Sequence, residues 1–238
     1  MKSNVVARIA MILAALFAGA ALSAAGKPAK PVRAPNWNQT VTLTDRDSYI
    51  LGNPASQVKL VEFISYTCPH CAHFEQQSAD QLRLGFIAQG KGSVEVRNFV
   101  RDPVDLTVSL LVRCGPKEKF FTNHSVFLRS QSTWMAPLED ISPSERQRWF
   151  VADLPNRLRY IAADFHFYEI MGTLGYDRTA VDRCLADTAL AARLASHTEE
   201  AEKTLFVRGT PTFMVDGIVL AGTSEWSVLR PQLEARMR

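Results

Sequence analysis

The sequence predicts an α/β domain interrupted by an all-helical insertion, and three stretches predict it. Residues 58–99 read as strand, helix, strand. About a hundred residues after Asp102 then carry apolar stripes at helical spacing and no strand signal. Strand character returns over 212–215 and 218–221, joined by Asp216-Gly217, a strong two-residue hairpin signal. These marks divide the chain into 40–102 and 207–238 for the sheet domain and 103–206 for the insertion.

Residues 1–25 carry Lys2 and Arg8, then fourteen uncharged apolar residues over 9–22, then Ser23-Ala24-Ala25. This is the pattern of a secretory signal peptide, too short for a comfortable membrane span. Cleavage is expected near Ala25, giving a soluble protein exported to an oxidising compartment, the periplasm. Without Lys2 and Arg8, 25 basic residues face 24 acidic ones, a net charge of +1. No basic block stands out elsewhere, so nucleic acid is not an expected partner. Residues 26–39 hold three prolines and no periodicity, a flexible lead-in from which Trp37 can dock back.

Short strands are expected at 41–43 and 49–51, and Gly52-Asn53-Pro54 turns the chain into the main strand, 58–65. That strand is mostly apolar but contains Glu62. It breaks off at Ser65-Tyr66-Thr67, and Cys68-Pro69-His70-Cys71 follows. Phe74, Ser78, Leu82 and Phe86 then recur near helical spacing with polar residues between them, a helix with one buried face. Pro69 suits the first helical position, since its φ is preset and its missing N–H is no loss. Cys68 therefore falls at the N-cap, where helical N–H groups and the helix dipole favour a thiolate, and His70 can add to this. Cys71 lies one turn in, close enough to close a disulfide with Cys68. The outer cysteine attacks and the inner one resolves.

The same stretch could hold a metal through Cys68, Cys71 and either His70 or His73, although no second knuckle of matching spacing exists. Haem attachment fails because residue 72 is Ala. After the strand at 94–99, Asp105 is a candidate cap for a helix carrying Leu110, Leu111 and Cys114, ended by Gly115-Pro116. Further helices are read over 118–130, over a stripe from Leu154 through Tyr168 that stops at Gly172 and Gly175, and over 179–186 and 187–203. A closing helix spans 224–237, with Pro231 expected to kink or divide it. Cys114 and Cys184 fall on apolar faces of two insertion helices. In an exported protein an even cysteine count favours a structural disulfide between them, with two buried free thiols or an auxiliary redox pair as the alternatives.

Two stretches carry a resemblance: Glu62-Phe63-Ile64-Ser65-Tyr66-Thr67-Cys68-Pro69-His70-Cys71 and Val207-Arg208-Gly209-Thr210-Pro211-Thr212. With the order of elements, they make residues 48–238 resemble the thioredoxin fold with an inserted helical domain, as found in the DsbA family of exported thiol oxidoreductases. The resemblance implies that Pro211 is cis and lies against the active cysteines, leaving the Thr210 backbone free to bind an extended substrate chain. It implies a buried Glu62 near Cys71, able to accept a proton. It implies a redox-active disulfide with no other cofactor, unfolded or partly folded secreted proteins as substrates, and re-oxidation by a quinone-linked membrane enzyme of the DsbB type. A monomeric or weakly associating oxidase is expected: the Pro-His dipeptide argues for an oxidant, and no separate dimerisation domain is read before Val41, which argues against an isomerase. A reductase or isomerase, and a non-enzymatic metal-binding module, remain as alternatives.

Overall fold

The computed structural model describes residues 35–238; the expected signal peptide and most of the expected lead-in lie outside the described residues. Trp37–Gln39 form a short 3₁₀ turn, and Trp37 packs against the core. Six strands follow in the chain: β1 (Val41–Leu43), β2 (Tyr49–Gly52), β3 (Val58–Ile64), β4 (Gly92–Asn98), β5 (Thr212–Val215) and β6 (Ile218–Val219). They form one sheet in the order β1-β2-β4-β3-β5-β6. Only β3 and β4 are parallel, and they are joined by helix α1 (Pro69–Gln81); the other pairs are antiparallel.

β3 is central, which is why its sequence is apolar on both faces. Val58, Leu60 and Ile64 join the large core that also holds Cys71 and Phe74 of α1. Val61 and Phe63 point the other way, into a smaller cluster with Phe99 and Met214. By strand alternation Glu62 shares the α1 face with Leu60 and Ile64. α1 runs on into a π-helical turn at Leu82–Ile87, and the Phe86 ring lies where a Cβ at position 92 would be, so β4 has to start on Gly92. At the hairpin, Asp216 and Gly217 both have positive φ, 51° and 85°, as the Asp-Gly pair predicts for a type I′ turn.

Between β4 and β5 the described chain is helical: α2 (Pro103–Leu111), α3 (Phe120–Arg129), α4 (Gln131–Met135), α5 (Pro143–Val151), α6 (Leu154–Asp164), α7 (Phe167–Thr173), α8 (Arg178–Leu185) and α9 (Thr188–Thr204). The residue that caps α2 is Asp102, whose side chain accepts from the Asp105 N–H at 2.8 Å, and not Asp105 as its spacing suggests. The long stripe from Leu154 is two helices, because His166 takes a left-handed φ of 56° between them while apolar residues continue on both sides. α10 (Trp226–Arg236) runs through Pro231 undivided, correcting the expected break; Leu229 and Leu233 are buried beneath it, which holds the helix across the missing N–H. Among the described residues no helix is long and apolar enough to cross a membrane.

Candidate active site

Cys68, Pro69, His70 and Cys71 form the entry to α1, with Cys68 at the N-cap and Pro69 as the first helical residue. The Cys68 carbonyl accepts the N–H groups of Cys71 at 3.1 Å and Ala72 at 3.3 Å, which closes the first turn. Across from it the Thr210–Pro211 peptide is cis, and Cys68 Sγ lies 3.1 Å from the Thr210 carbonyl oxygen, to which it donates only as the protonated thiol. The Thr210 N–H donates to no acceptor among the described residues. Glu62, six residues before Cys68, is buried and close enough for its charge to act on Cys71. Folding thus gathers Glu62, Cys68, Pro69, His70, Cys71, Thr210 and Pro211. Cys114 and Cys184 are bonded to each other in the insertion, their Cα atoms 5.8 Å apart.

The two active cysteines differ in electrostatics. Cys68 is lowered from an ordinary value of 9.0 to about 4, first because the Cys71 thiol donates to its sulfur, then through the Thr210 side chain and the backbone N–H groups of Cys71 and His70, against the opposing effect of burial. The sulfur makes no full capping hydrogen bond to the first turn, so those N–H groups act at longer range. The thiolate-stabilising part of His70 is its main chain; the imidazole is exposed. Cys68 itself is only 2% exposed, whereas Pro69 and His70, which follow it in the chain, are exposed. Cys71 is raised well above the ordinary thiol range by burial, by the hydrogen bond it gives to Cys68, and by the charges of Cys68 and Glu62. Glu62 is raised to about 8, chiefly by burial and then by the charge of Glu75. At neutral pH the site therefore holds one thiolate, one thiol and one protonated carboxyl.

Several groups shape this site that the motif does not reveal. Asp105 is fully buried and accepts from Ser65 Oγ at 2.6 Å, the Tyr66 N–H at 2.8 Å and the Arg101 N–H at 3.0 Å, so it fixes the strand end that delivers Cys68. Burial outweighs those donors and raises its carboxyl to about 7. Gln131, on α4, donates to the carbonyls of Tyr66 and Cys68. The Tyr66 hydroxyl shares a hydrogen bond of 2.9 Å with His124 Nδ1, and His124 Nε2 lies 3.8 Å from Glu75. Burial lowers the His124 pKa, so the imidazole is neutral. Glu62, Glu75 and His124 line one cavity of about 40 Å³. Of these groups Asp105 carries a local signal as an acid at a helix start, and Glu75 stands four residues after Cys71 on the same helical face.

The proposed metal ligands do not converge. His73 is exposed on the outer side of α1 and pairs with Gln77 at 3.1 Å, while Cys71 is buried. Among the described residues no three His, Cys, Asp or Glu side chains gather as a metal-binding group.

The chain has clear relatives. A family model described as thioredoxin matches residues 44–235. The solved structure of a protein-disulfide isomerase from Novosphingobium aromaticivorans is 53% identical with a TM-score of 0.78, the match covering 80% of this chain and 97% of that one. Alpha-DsbA1 of Wolbachia pipientis shares the fold at a TM-score of 0.59 and 20% identity, over 79% of this chain and 89% of that one. A Rickettsia bellii protein named as a protein-disulfide oxidoreductase is 28% identical over 176 residues, which are 73% of this chain and 59% of that relative. The chain thus spans less than two thirds of the length of this curated relative.

Proposed function

This chain belongs to the thioredoxin family, and on that premise we propose that it is an exported thiol:disulfide oxidoreductase that donates a Cys68–Cys71 disulfide to folding secreted proteins. The observation that carries the proposal is the opposition of the two sulfurs, Cys68 lowered to about 4 and Cys71 raised. Whatever stabilises the reduced Cys68 thiolate favours reduction of the disulfide, and so makes the disulfide an oxidant.

In the proposed cycle a substrate thiolate attacks Cys68 Sγ, the Cys68–Cys71 bond breaks, and Cys71 leaves with the electron pair. In this reading Glu62, protonated below about pH 8, gives Cys71 its proton. A second substrate thiolate then attacks the substrate sulfur held by Cys68. A substrate disulfide forms, and Cys68 departs as the stabilised thiolate. The substrate has lost two electrons and the Cys68–Cys71 pair has gained them. The unpaired Thr210 N–H, beside the cis peptide at Pro211, supports the idea that an extended substrate backbone pairs there. Re-oxidation by a quinone-linked membrane enzyme of the DsbB type completes the proposal. Export is supported by the N-terminal pattern and by the Cys114–Cys184 bond, which belongs in an oxidising compartment.

One observation favours a second reading: the 53% identical relative is named a disulfide isomerase. Reduced Cys68 could in that case attack incorrect substrate disulfides without net oxidation. Equilibration with a glutathione buffer separates the two. A potential far more oxidising than that of thioredoxin, with fast oxidation of a reduced substrate, supports the oxidase. A thioredoxin-like potential with rescue of a scrambled substrate by the reduced protein overturns it.

A further inference from the structure

Beside the redox-active turn the surface opens into a groove of about 290 Å³ whose wall includes Thr67, the residue immediately before Cys68. The far wall comes from the insertion and is apolar, with Met135, Leu138 and Phe150 among its residues. Phe150 is 57% exposed and its neighbour Val151 is 71% exposed. Large apolar side chains left in water beside a reactive centre mark a surface that another molecule covers.

The groove is lined by two arginines and one acid, Arg101, Arg146 and Asp102, a net excess of positive charge. Neither guanidinium forms an ion pair among the described residues, although Arg146 Nη2 donates to the Leu138 carbonyl at 3.3 Å. The acid beside them, Asp102, is already engaged, one oxygen accepting from the Asp105 N–H at 2.8 Å and the other from the Thr67 hydroxyl at 2.6 Å. An occupant that brings an acidic side chain would find two arginines without a carboxylate of their own.

Reach ties the groove to the sulfur. Adjacent Cα atoms are about 3.8 Å apart, and an extended chain advances about 3.3 Å per residue. A polypeptide whose cysteine is bonded to Cys68 can therefore place a side chain past Thr67 within roughly two to four residues. We infer that this groove is a substrate subsite, taking a large apolar side chain close in sequence to the reacting cysteine, with a neighbouring acidic residue meeting Arg101 or Arg146. The inference rests on the thiol-exchange function proposed above and names the class of segment the protein selects: an unfolded chain in which cysteine, an aromatic residue and an acid stand together.

The test uses the oxidised full chain and a series of cysteine peptides. One set has Phe three residues from the cysteine, on either side, followed by Asp; matched peptides replace Phe by Ala, or Asp by Lys. Second-order rates of thiol loss are measured, with reduced glutathione as a reference thiol. An apolar side chain in a fitted pocket is worth about tenfold or more in rate, so the Phe-Asp peptide should outrun the Ala peptide by at least that factor. The ratio should collapse towards one in Phe150→Ala, and the Asp-over-Lys preference should reverse in Arg146→Glu. Equal rates for all peptides while glutathione reacts overturn the subsite and leave the thiol-exchange function standing. No reaction even with glutathione overturns that function itself. A preference that survives both substitutions, or a dimer in sedimentation that Phe150→Ala dissolves, assigns the groove elsewhere and overturns the inference.

Discussion

Gln131 Nε2 donates to the carbonyl of Tyr66 at 2.6 Å and to that of Cys68 at 3.0 Å. The donor belongs to the helical insertion and the acceptors to the turn that carries the attacking sulfur, so the insertion holds the turn in place as well as covering the sheet. Gln131→Leu keeps the volume and removes the donor. Two buried carbonyls then each lose a partner, at a cost of roughly 1–3 kcal/mol. Urea unfolding should show that loss, and amide exchange at Cys71 and Ala72 should quicken more than exchange in the β5–β6 hairpin. Equal quickening in both places would mean that the glutamine acts on global stability alone.

The depressed pKa of Cys68 makes stability depend on pH in one redox state only. In the reduced protein the thiol ionises at about 4, whereas an unfolded cysteine keeps its proton to about 9. Between those values the unfolded chain binds the extra proton, so the reduced fold gains stability as pH rises from 4 towards 9 and loses it again as pH falls to 4. The oxidised protein has no such thiol. Denaturant unfolding of both forms across this range should show the reduced form rising relative to the oxidised one, and Cys68→Ser should abolish that rise. A pH-independent difference would place the Cys68 pKa near that of a free cysteine and remove the basis of the proposed oxidase.

Glu62 carries the opposite sign. Its carboxyl holds a proton to about pH 8 in the fold, and the ordinary value is 4.5. The folded state binds the extra proton in that window, so the contribution is complete below 4.5 and is lost as pH rises through 8. Glu62→Gln, which mimics the protonated form but cannot ionise, should flatten this decline. It should also slow the step in which Cys71 takes up or gives back its proton, by roughly 100-fold for a lost general acid-base group, as read by quenched-flow trapping of the mixed disulfide. A mixed disulfide resolved at the native rate would reduce Glu62 to a buried bystander.

How far this site can be read from sequence follows from the distance along the chain between the partners. Cys68, Pro69 and Cys71 lie on one helix start, so local rules place them together. Glu62, on the strand before them, and the distant Thr210 and Pro211 are legible as site residues only through resemblance. Asp105 was visible as an acid near a helix start, but local spacing does not separate the cap from a carboxylate three residues on. Asp102 caps, which frees Asp105 to turn into the core and bind the backbone of Tyr66. Gln131 and His124 left no signal, since both lie on insertion helices whose packing against α1 sets their role. The break at His166 was hidden for another reason: apolar periodicity reports which face is buried and is insensitive to one left-handed residue.

Asp105 yields a prediction of its own. Its carboxyl receives Ser65 Oγ and the Tyr66 N–H away from water, and the Arg101 N–H at the partly exposed edge. Asp105→Ala strands the buried Tyr66 N–H at roughly 1–3 kcal/mol, whereas Asp105→Asn keeps one acceptor oxygen and should cost less. The ordering Ala below Asn below the native protein in urea midpoint is the expected result. The reverse ordering would show that the buried charge itself destabilises the fold more than its hydrogen bonds stabilise it.

The Cys114–Cys184 bond spans 70 residues of sequence, joining the chain just after α2 to α8 and enclosing α3 through α7 between them. Cross-linking so long a loop restricts the unfolded chain, and the loop-entropy relation puts the stabilisation at roughly 4 kcal/mol. Replacing both residues by alanine should lower the unfolding free energy by about that amount, while the Cys114 carbonyl keeps the Tyr176 hydroxyl at 2.8 Å. The two disulfides should also separate by reactivity. Mild reductant should open Cys68–Cys71 first, because its reduced form is stabilised by the Cys68 thiolate, and stronger reductant should then open Cys114–Cys184 with a further drop in stability. Alkylation followed by mass measurement resolves the two steps. Simultaneous opening, or opening of Cys114–Cys184 first, would show that this second pair is redox-labile and belongs to the chemistry.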